Sequence, residues 1–322
     1  MNLDLIARKL KISPMTVSRA LNGKGPVKDE TRELVLKAAK DAGYSPRGRK
    51  GLSRIAFVID SIESENYFSR LCMDIMGRLS DEKYICHVIS EKEKVKFVET
   101  VKKSGIVVFC SVTSGREVAN VRKLNPEIKV ITMFSNGLGD ISVDPDDYMG
   151  GRIAAEHFHL LGHRHIAVCT DWNQPNHIER YKSFLGEFLT FAPDGKVELI
   201  KFDSSGDLEL PCKNALADFF RKHKKLPTAL FCTNCHIAAT AFNFIRNEEI
   251  KIPDEMGLLG YDENSIYDTL ARGVSRIVFD PYSVSRSVFS YISGMESFEG
   301  NAPLRSLVAV ELKDLKSVKK LK

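Results

Sequence analysis

Apolar positions in the first forty residues recur at spacings of three and four, and then the period changes. Leu3, Ile6, Ala7 and Leu10 form one stripe, which predicts an amphipathic helix over residues 3–10 with Asn2 as its cap. Lys11-Ile12 leaves room only for a tight turn before Ser13-Pro14 begins a second helix. The serine hydroxyl can accept from a free backbone N–H of the first turn, and proline suits a first helical position that needs no N–H. Val17 and Leu21, four apart, share its inner face. A third helix follows Asn22-Gly23-Lys24-Gly25-Pro26, with Asp29, Glu30 and Glu33 at its start, apolar Leu34, Val35, Ala38 and Ala39, and a stop at Gly43. Helices joined by so short a turn must cross steeply, as in a helix-turn-helix.

From Ile55 onward short apolar runs alternate with amphipathic stretches. Strands are predicted at Ile55–Asp60, Tyr84–Ile89, Ile106–Cys110, Val130–Phe134, His165–Thr170, Val197–Phe202, Ala229–Thr233, Met256–Tyr261 and Ile277–Asp280. Helices fill the intervals, among them Phe68–Leu79, Tyr148–Leu161, Ile178–Phe191, Leu208–His223 and Ile237–Asn247. Repeated βα units predict an α/β body of parallel, doubly wound sheets with helices on both faces. Nine strands fit two sheets facing across a cleft better than one, and such sheets bind ligands at the carboxyl ends of their strands. The expected division is a headpiece at 1–46, a short basic linker at 47–54 and a two-lobed body at 55–322.

Charge sharpens this division. Residues 1–54 carry 13 Lys/Arg against 5 Asp/Glu, while the remainder carries 34 against 37. The positive excess therefore sits on the helix-turn-helix, as phosphate binding requires. The seven cysteines (72, 86, 110, 169, 212, 232 and 235) are odd in number and mostly in apolar settings, so reduced core thiols and a cytoplasmic home are expected. Apolar runs such as Ile55 to Ile59 are too short to span a bilayer, so no membrane association is expected.

The outer faces of the second helix carry Met15, Thr16, Ser18, Arg19 and Asn22, preceded by Ser13 and Pro14. Such a helix can lie in the major groove of double-stranded DNA: Arg19 suits guanine, Pro14 and Met15 suit thymine methyls, and Thr16, Ser18 and Asn22 suit phosphates. Arg47 and Arg49 add cations from the linker. No phosphate loop, nucleophile elbow or catalytic acid pair is visible, so no enzyme, cofactor or metal is expected. Cys232-Thr233-Asn234-Cys235 has the placement of a redox dithiol, but structural thiols are the stronger reading. His157 and His159 point to different helix faces and so do not make a metal site with His163 and His165.

Ile6-Ala7, Ile12-Ser13, Thr16-Val17-Ser18-Arg19-Ala20-Leu21-Asn22, Thr31-Arg32 and Gly43-Tyr44-Ser45-Pro46 resemble the headpiece of the lac-repressor-like (LacI/GalR) transcription regulators, nearly without gaps over the first 46 residues. Val143-Asp144, Gly150, Ala154-Ala155, His157, the run from Leu161 to Ala167, Arg180, the run from Pro227 to Phe231, Ile252-Pro253, Gly260-Tyr261-Asp262 and Asp280-Pro281 resemble the periplasmic-binding-protein-like effector domain of the same family. The resemblance implies a ligand-responsive regulator, a repressor by preference, acting as a homodimer on a pseudo-palindromic DNA operator. Its small-molecule effector would be a sugar or a related polar metabolite. Carried over one position at a time, the cleft would be lined by Asp60, Asn66, Ser111, Trp172, Arg180, Asn234, Asp262 and Asp280, although an aspartate after a strand serves as readily to cap a helix.

The chain also departs from this pattern. Relatives usually have a longer linker that forms a hinge helix and wedges a leucine into the minor groove. Here Arg47-Gly48-Arg49-Lys50-Gly51-Leu52-Ser53-Arg54 is shorter and glycine-punctuated, so no full hinge helix and less bending of DNA are expected. Lys11 stands where glycine is common, Lys28 where a serine cap is usual, and Cys235 where an aspartate often holds sugar hydroxyls. The alternative reading is a small-molecule-binding protein of the same fold with weak operator specificity.

Overall fold

In the computed structural model the chain divides into two units, residues 1–54 with 81–85 and residues 55–80 with 86–322. The structure describes residues 3–22, 27–41, 53–59, 67–79, 84–90, 92–100, 105–111, 113–204, 207–271, 273–294 and 303–321.

The first unit contains α1 (Leu3–Leu10), α2 (Pro14–Asn22) and α3 (Asp29–Asp41). Their small core is Ile6, Ala7, Val17, Ala20, Val35 and Ala38, with Leu10, Ile12 and Val27 packed against it. Ser13 caps α2 as its position requires, its hydroxyl accepting from the Thr16 N–H at 3.0 Å. Lys11 turns the chain between α1 and α2 with φ 51°, a left-handed conformation that costs a residue with a Cβ about 1 kcal/mol. Leu34, expected inside, is 59% exposed. Val35 and Ala38, three apart, take the inward stripe of α3, and Leu34 lies about 100° to one side of it. Gly43 and residues 47–52 of the linker lie outside the described residues. Its last two residues, Ser53 and Arg54, already belong to the first strand.

The body is two lobes, each built on a six-stranded sheet. The first sheet uses β1 (Ser53–Ile59), β2 (Tyr84–Ser90), β3 (Gly105–Phe109), β4 (Lys129–Met133), β5 (Ile141–Pro145) and β11 (Leu304–Val308), in the order β11-β5-β4-β3-β1-β2. The second uses β6 (His165–Asp171), β7 (Lys196–Phe202), β8 (Ala229–Cys232), β9 (Gly257–Tyr261), β10 (Ser275–Phe279) and β12 (Val310–Lys313), in the order β12-β10-β9-β8-β6-β7. The second sheet is parallel except at its edge, where β12 runs antiparallel to β10. Helices α4 (Tyr67–Arg78), α5 (Lys94–Thr100), α6 (Gly115–Leu124) and α11 (Pro281–Gly294) serve the first lobe. Helices α7 (Asp147–Leu160), α8 (Pro175–Phe191), α9 (Glu209–Lys222) and α10 (Cys235–Asn247) serve the second.

The two sheets repeat one winding scheme, which reverses between β1 and β3 in the first lobe and between β6 and β8 in the second. At such a reversal the helices leave to opposite faces and open a crevice at the carboxyl ends of the strands. The chain passes between the lobes three times: after β5, after β10, and at Ala309 between β11 and β12. The Asp146 N–H donates to the Val308 carbonyl at 2.9 Å, so two of these passages lie side by side. Among the described residues no helix is long and apolar enough to cross a membrane.

Candidate DNA-binding helix and effector cleft

α2 is two-faced. Val17 and Ala20 are buried, while Ser13, Pro14 and Arg19 are exposed and Met15 is 63% exposed. Thr16 is partly covered, its hydroxyl 2.8 Å from that of Ser13. The expected groove-facing set is thus presented on one side wherever it is described. The side chains of Ser18 and Asn22, and all of Arg47 and Arg49, lie outside the described residues.

In the second lobe two of the sequence-predicted residues, Asp262 and Asn234, gather at a third, Arg180. α8 carries it inward until its side chain is 2% exposed. Nε donates to Asp147 Oδ1 at 2.7 Å, and Nη1 donates to the Thr233 carbonyl at 2.7 Å and reaches Asp262 Oδ1 at 3.2 Å. The guanidinium carbon sits 3.7 Å over the Tyr261 ring, a stacking contact that suits arginine in a desolvated site. Asn234 Nδ2 donates to Asp262 Oδ2 at 2.9 Å, while Asn234 Oδ1 accepts from the His236 N–H and starts α10. These residues follow β8 and β9, where a doubly wound sheet opens its crevice.

Three strong partners hold the arginine, so it is a buried hub more than the open fork that its sequence position implied. Among the described residues its bonds use Nε and Nη1. Burial works against the Arg180 cation, but Asp147 and Asp262 more than offset it and hold its pKa above the ordinary arginine value. Burial pushes the Asp147 carboxyl up to about 6 even against the pull of Arg180, and Asp262 and Glu179 add to the rise. Burial is the chief cause: the single guanidinium offsets it only in part, and the second carboxylate adds to the rise.

Other expected residues have different surroundings. Trp172 follows β6 half-buried, its ring edge on Tyr181 with centroids 5.9 Å apart and the Lys201 ammonium 5.6 Å from its centre. Ser111 is buried just after β3. Asp280 stands apart from the Arg180 cluster as the cap of α11, accepting from the Tyr282 N–H at 3.0 Å, the Ser283 hydroxyl at 2.7 Å and Arg286 at 3.2 Å. There the capping reading prevails. Asp60 and Asn66 lie outside the described residues. Cys232 and Cys235 are buried free thiols whose pKa values burial pushes up. This withholds the thiolate that redox chemistry needs.

Sequence reasoning missed four residues of this cluster. Asp147 and Tyr261 are the counter-ion and the stacking shelf of Arg180. Asn176 and His177 share its face of α8, and Asn176 Oδ1 and His177 Nδ1 are buried without a hydrogen-bond partner. Burial, with the nearby Arg180 charge, holds His177 well below the ordinary histidine value, so its ring is neutral. The i, i+4 spacing of Asn176 and Arg180 is the only local signal that could have linked them. Asp147 is 33 residues from Arg180, and nothing local connects the two. Gly150 supports the shelf, since a Cβ there would lie 2.0 Å from the Tyr261 hydroxyl.

A capped, groove-ready helix-turn-helix and a two-lobed body with a polar cleft define a DNA-binding regulator of the ligand-responsive kind. A model of the bacterial regulatory proteins of the lacI family matches residues 2–47, and one of the periplasmic binding protein-like domain matches residues 155–313. The chain belongs to the LacI/GalR family. It is 25% identical over 275 residues to the HTH-type transcriptional repressor PurR of Haemophilus influenzae (strain PittEE), covering 80% of each. With the HTH-type transcriptional regulator DegA of Bacillus subtilis (strain 168) it shares 25% over 286 residues, 83% of this chain and 82% of that one. The lac repressor dimer bound to operator and the anti-inducer ONPF superposes with a TM-score of 0.67 at 18% identity over 98% of both chains. The CelR–cellobiose complex gives the same TM-score and identity over 98% of this chain and 99% of that one.

Proposed function

We propose that this chain is a cytoplasmic repressor that reads a pseudo-palindromic operator as a homodimer and is switched by a polar small molecule held between its lobes. One observation carries the reading: a headpiece whose α2 leaves Pro14, Met15 and Arg19 uncovered shares a chain with a cleft built around Arg180. One headpiece spans only a half-site, so two-fold symmetric DNA calls for a two-fold symmetric protein. Arg19 reads guanine, Pro14 and Met15 meet thymine methyls, and Ser13, Thr16, Ser18 and Asn22, with Arg47 and Arg49, hold phosphates.

For the effector, the groups of this cluster without a hydrogen-bond partner among the described residues are Asn176 Oδ1, His177 Nδ1 and the Tyr261 hydroxyl, bordered by Arg180, Asp262 and Asn234. Ser111 and Trp172 contribute from the ends of β3 and β6, and Asp60 and Asn66 from the segment after β1. Donors and acceptors so placed suit a hydroxylated molecule such as a sugar. Lobe closure on it respaces the headpieces, a hinge-type switch.

Selection of bound duplexes from a random palindrome library tests the DNA half. A single enriched half-site supports it, and equal, salt-erasable binding to every duplex overturns it. A thermal-shift screen of sugars, sugar phosphates and nucleosides tests the effector half, because a ligand of the folded state raises its melting temperature.

A further inference from the structure

A side-chain contact in the body joins the two lobes. Glu179 stands on α8 of the second lobe, next to Arg180. Its Oε2 accepts from Asn136 Nδ2 at 3.0 Å and lies 3.5 Å from Arg305 Nη2. Both donors belong to the first lobe, Asn136 in the turn between β4 and β5 and Arg305 on the edge strand β11.

The two sides of this contact are built differently. Arg305 Nε donates to Asp144 Oδ2 at 3.0 Å, and Nη2 donates to Asn136 Oδ1 at 3.2 Å. Asp144 is fully buried and also accepts from the Ser135 N–H at 2.9 Å and the Ser142 hydroxyl at 2.8 Å. The turn it braces runs through positive φ at Phe134 (59°), Asn136 (50°) and Gly137 (87°). Left-handed backbone is costly at the two residues that carry a Cβ, so the turn keeps its shape through these bonds. The first-lobe side is thus fixed, whereas Glu179 moves with α8.

We propose that Glu179 is an interlobe latch: its bonds to Asn136 and Arg305 hold the lobes at the separation seen here and tie that separation to the position of Arg180. A bond that exists in only one arrangement of the lobes biases the equilibrium by its own free energy. Arg180 is the next residue on the same helix, so a molecule that displaces α8 through that arginine also moves Glu179 relative to its two donors. The Glu179 and Arg305 side chains are 32% and 34% exposed, so the contact is weak enough to open and close readily. The regulatory meaning of the latch rests on the two-lobed switch described above. Its existence is tested without DNA or effector, so failure of the latch and failure of operator binding are distinct results.

The experiment is hydrogen–deuterium exchange on the full chain, comparing wild type with Glu179→Ala, Glu179→Gln and Glu187→Gln. Glu187 lies on the same helix but accepts from the Tyr148 hydroxyl within the second lobe, at 2.6 Å. Exchange over residues 134–137 and the first turn of α8 is expected to accelerate roughly two- to five-fold in Glu179→Ala. The increase should be smaller in Glu179→Gln, which keeps a partner for Asn136, and absent over 134–137 in Glu187→Gln. The β3 and β6 amides should stay unchanged in both Glu179 variants. No local acceleration in Glu179→Ala, a uniform rise through both sheets, or the same effect from Glu187→Gln would overturn the latch.

Discussion

Arg180 and Asp147 meet at 2.7 Å with neither side chain more than 2% exposed, and Asp262 approaches the same guanidinium from the other side. The cluster therefore holds one acid more than its cation can neutralise. This excess makes the centre of the second lobe sensitive to protons and to any cationic or hydrogen-bond-donating guest. Two consequences for stability follow.

Asp147 is expected to lower the stability of the body as pH rises. Its folded pKa is about 6 against 3.8 in an ordinary setting. A group raised in the folded state contributes fully below its unfolded value and loses that contribution as pH climbs through the folded one. The window is therefore about pH 4 to 6, and the shift corresponds to roughly 3 kcal/mol. Asp147→Asn removes this dependence while leaving a constant offset from the less compensated Arg180. Wild type should lose stability relative to Asp147→Asn between pH 4 and 7 in thermal melts. A pH-independent difference between the two would show that Asp147 stays charged throughout.

Arg180→Met is expected to cost about 3–5 kcal/mol in denaturant unfolding, because Asp147 and Asp262 would lose their shared cation in a dry site. Asp147→Asn in the same chain should recover part of the loss, since fewer uncompensated carboxylates then remain. Equal, additive losses in the two single variants would contradict the shared-charge account.

The winding of the body was legible in its apolar runs because parallel strands covered on both faces are nearly continuous in Val, Ile and Leu. Strands β1 and β3, for instance, begin within two residues of their expected positions. β5 and β11 were not, for a physical reason. Ile141-Ser142-Val143-Asp144-Pro145 points two polar residues into a hydrogen-bonded network, and Leu304-Arg305-Ser306-Leu307-Val308 is a half-exposed edge. Neither needs an apolar run. The Arg180 cluster was half legible: Arg180, Asn234 and Asp262 carried motif signals. Asp147, Asn176, His177 and Tyr261 join it through helix packing that only the fold brings about. Asp280 caps α11, and an aspartate beyond a strand looks the same in sequence whether it faces a ligand or caps a helix.

Lys11→Gly is expected to stabilise the headpiece. Lys11 adopts φ 51°, where a Cβ costs about 1 kcal/mol, and glycine relieves this at some expense in unfolded-chain entropy. Ser13→Ala should act in the opposite direction by about 1 kcal/mol, since it removes the acceptor for the Thr16 N–H. Melting of the headpiece region, followed by amide exchange over residues 3–41, separates the two. A loss on Lys11→Gly would mean that the lysine side chain makes up for its backbone.

Arg19→Ala tests the reading face directly. Arg19 is exposed on α2 beside buried Val17 and Ala20, which fix the helix and leave the arginine uncovered. A guanidinium bidentate to guanine supplies roughly 1–3 kcal/mol of discrimination. Its removal should weaken binding to the selected operator by that amount and relax preference at one base pair per half-site, with less effect on unrelated duplexes. Binding isotherms at two salt concentrations decide the role. If affinity falls equally on all sequences and the salt dependence drops by about one phosphate contact, Arg19 is a backbone anchor and base reading passes to Met15 and its neighbours.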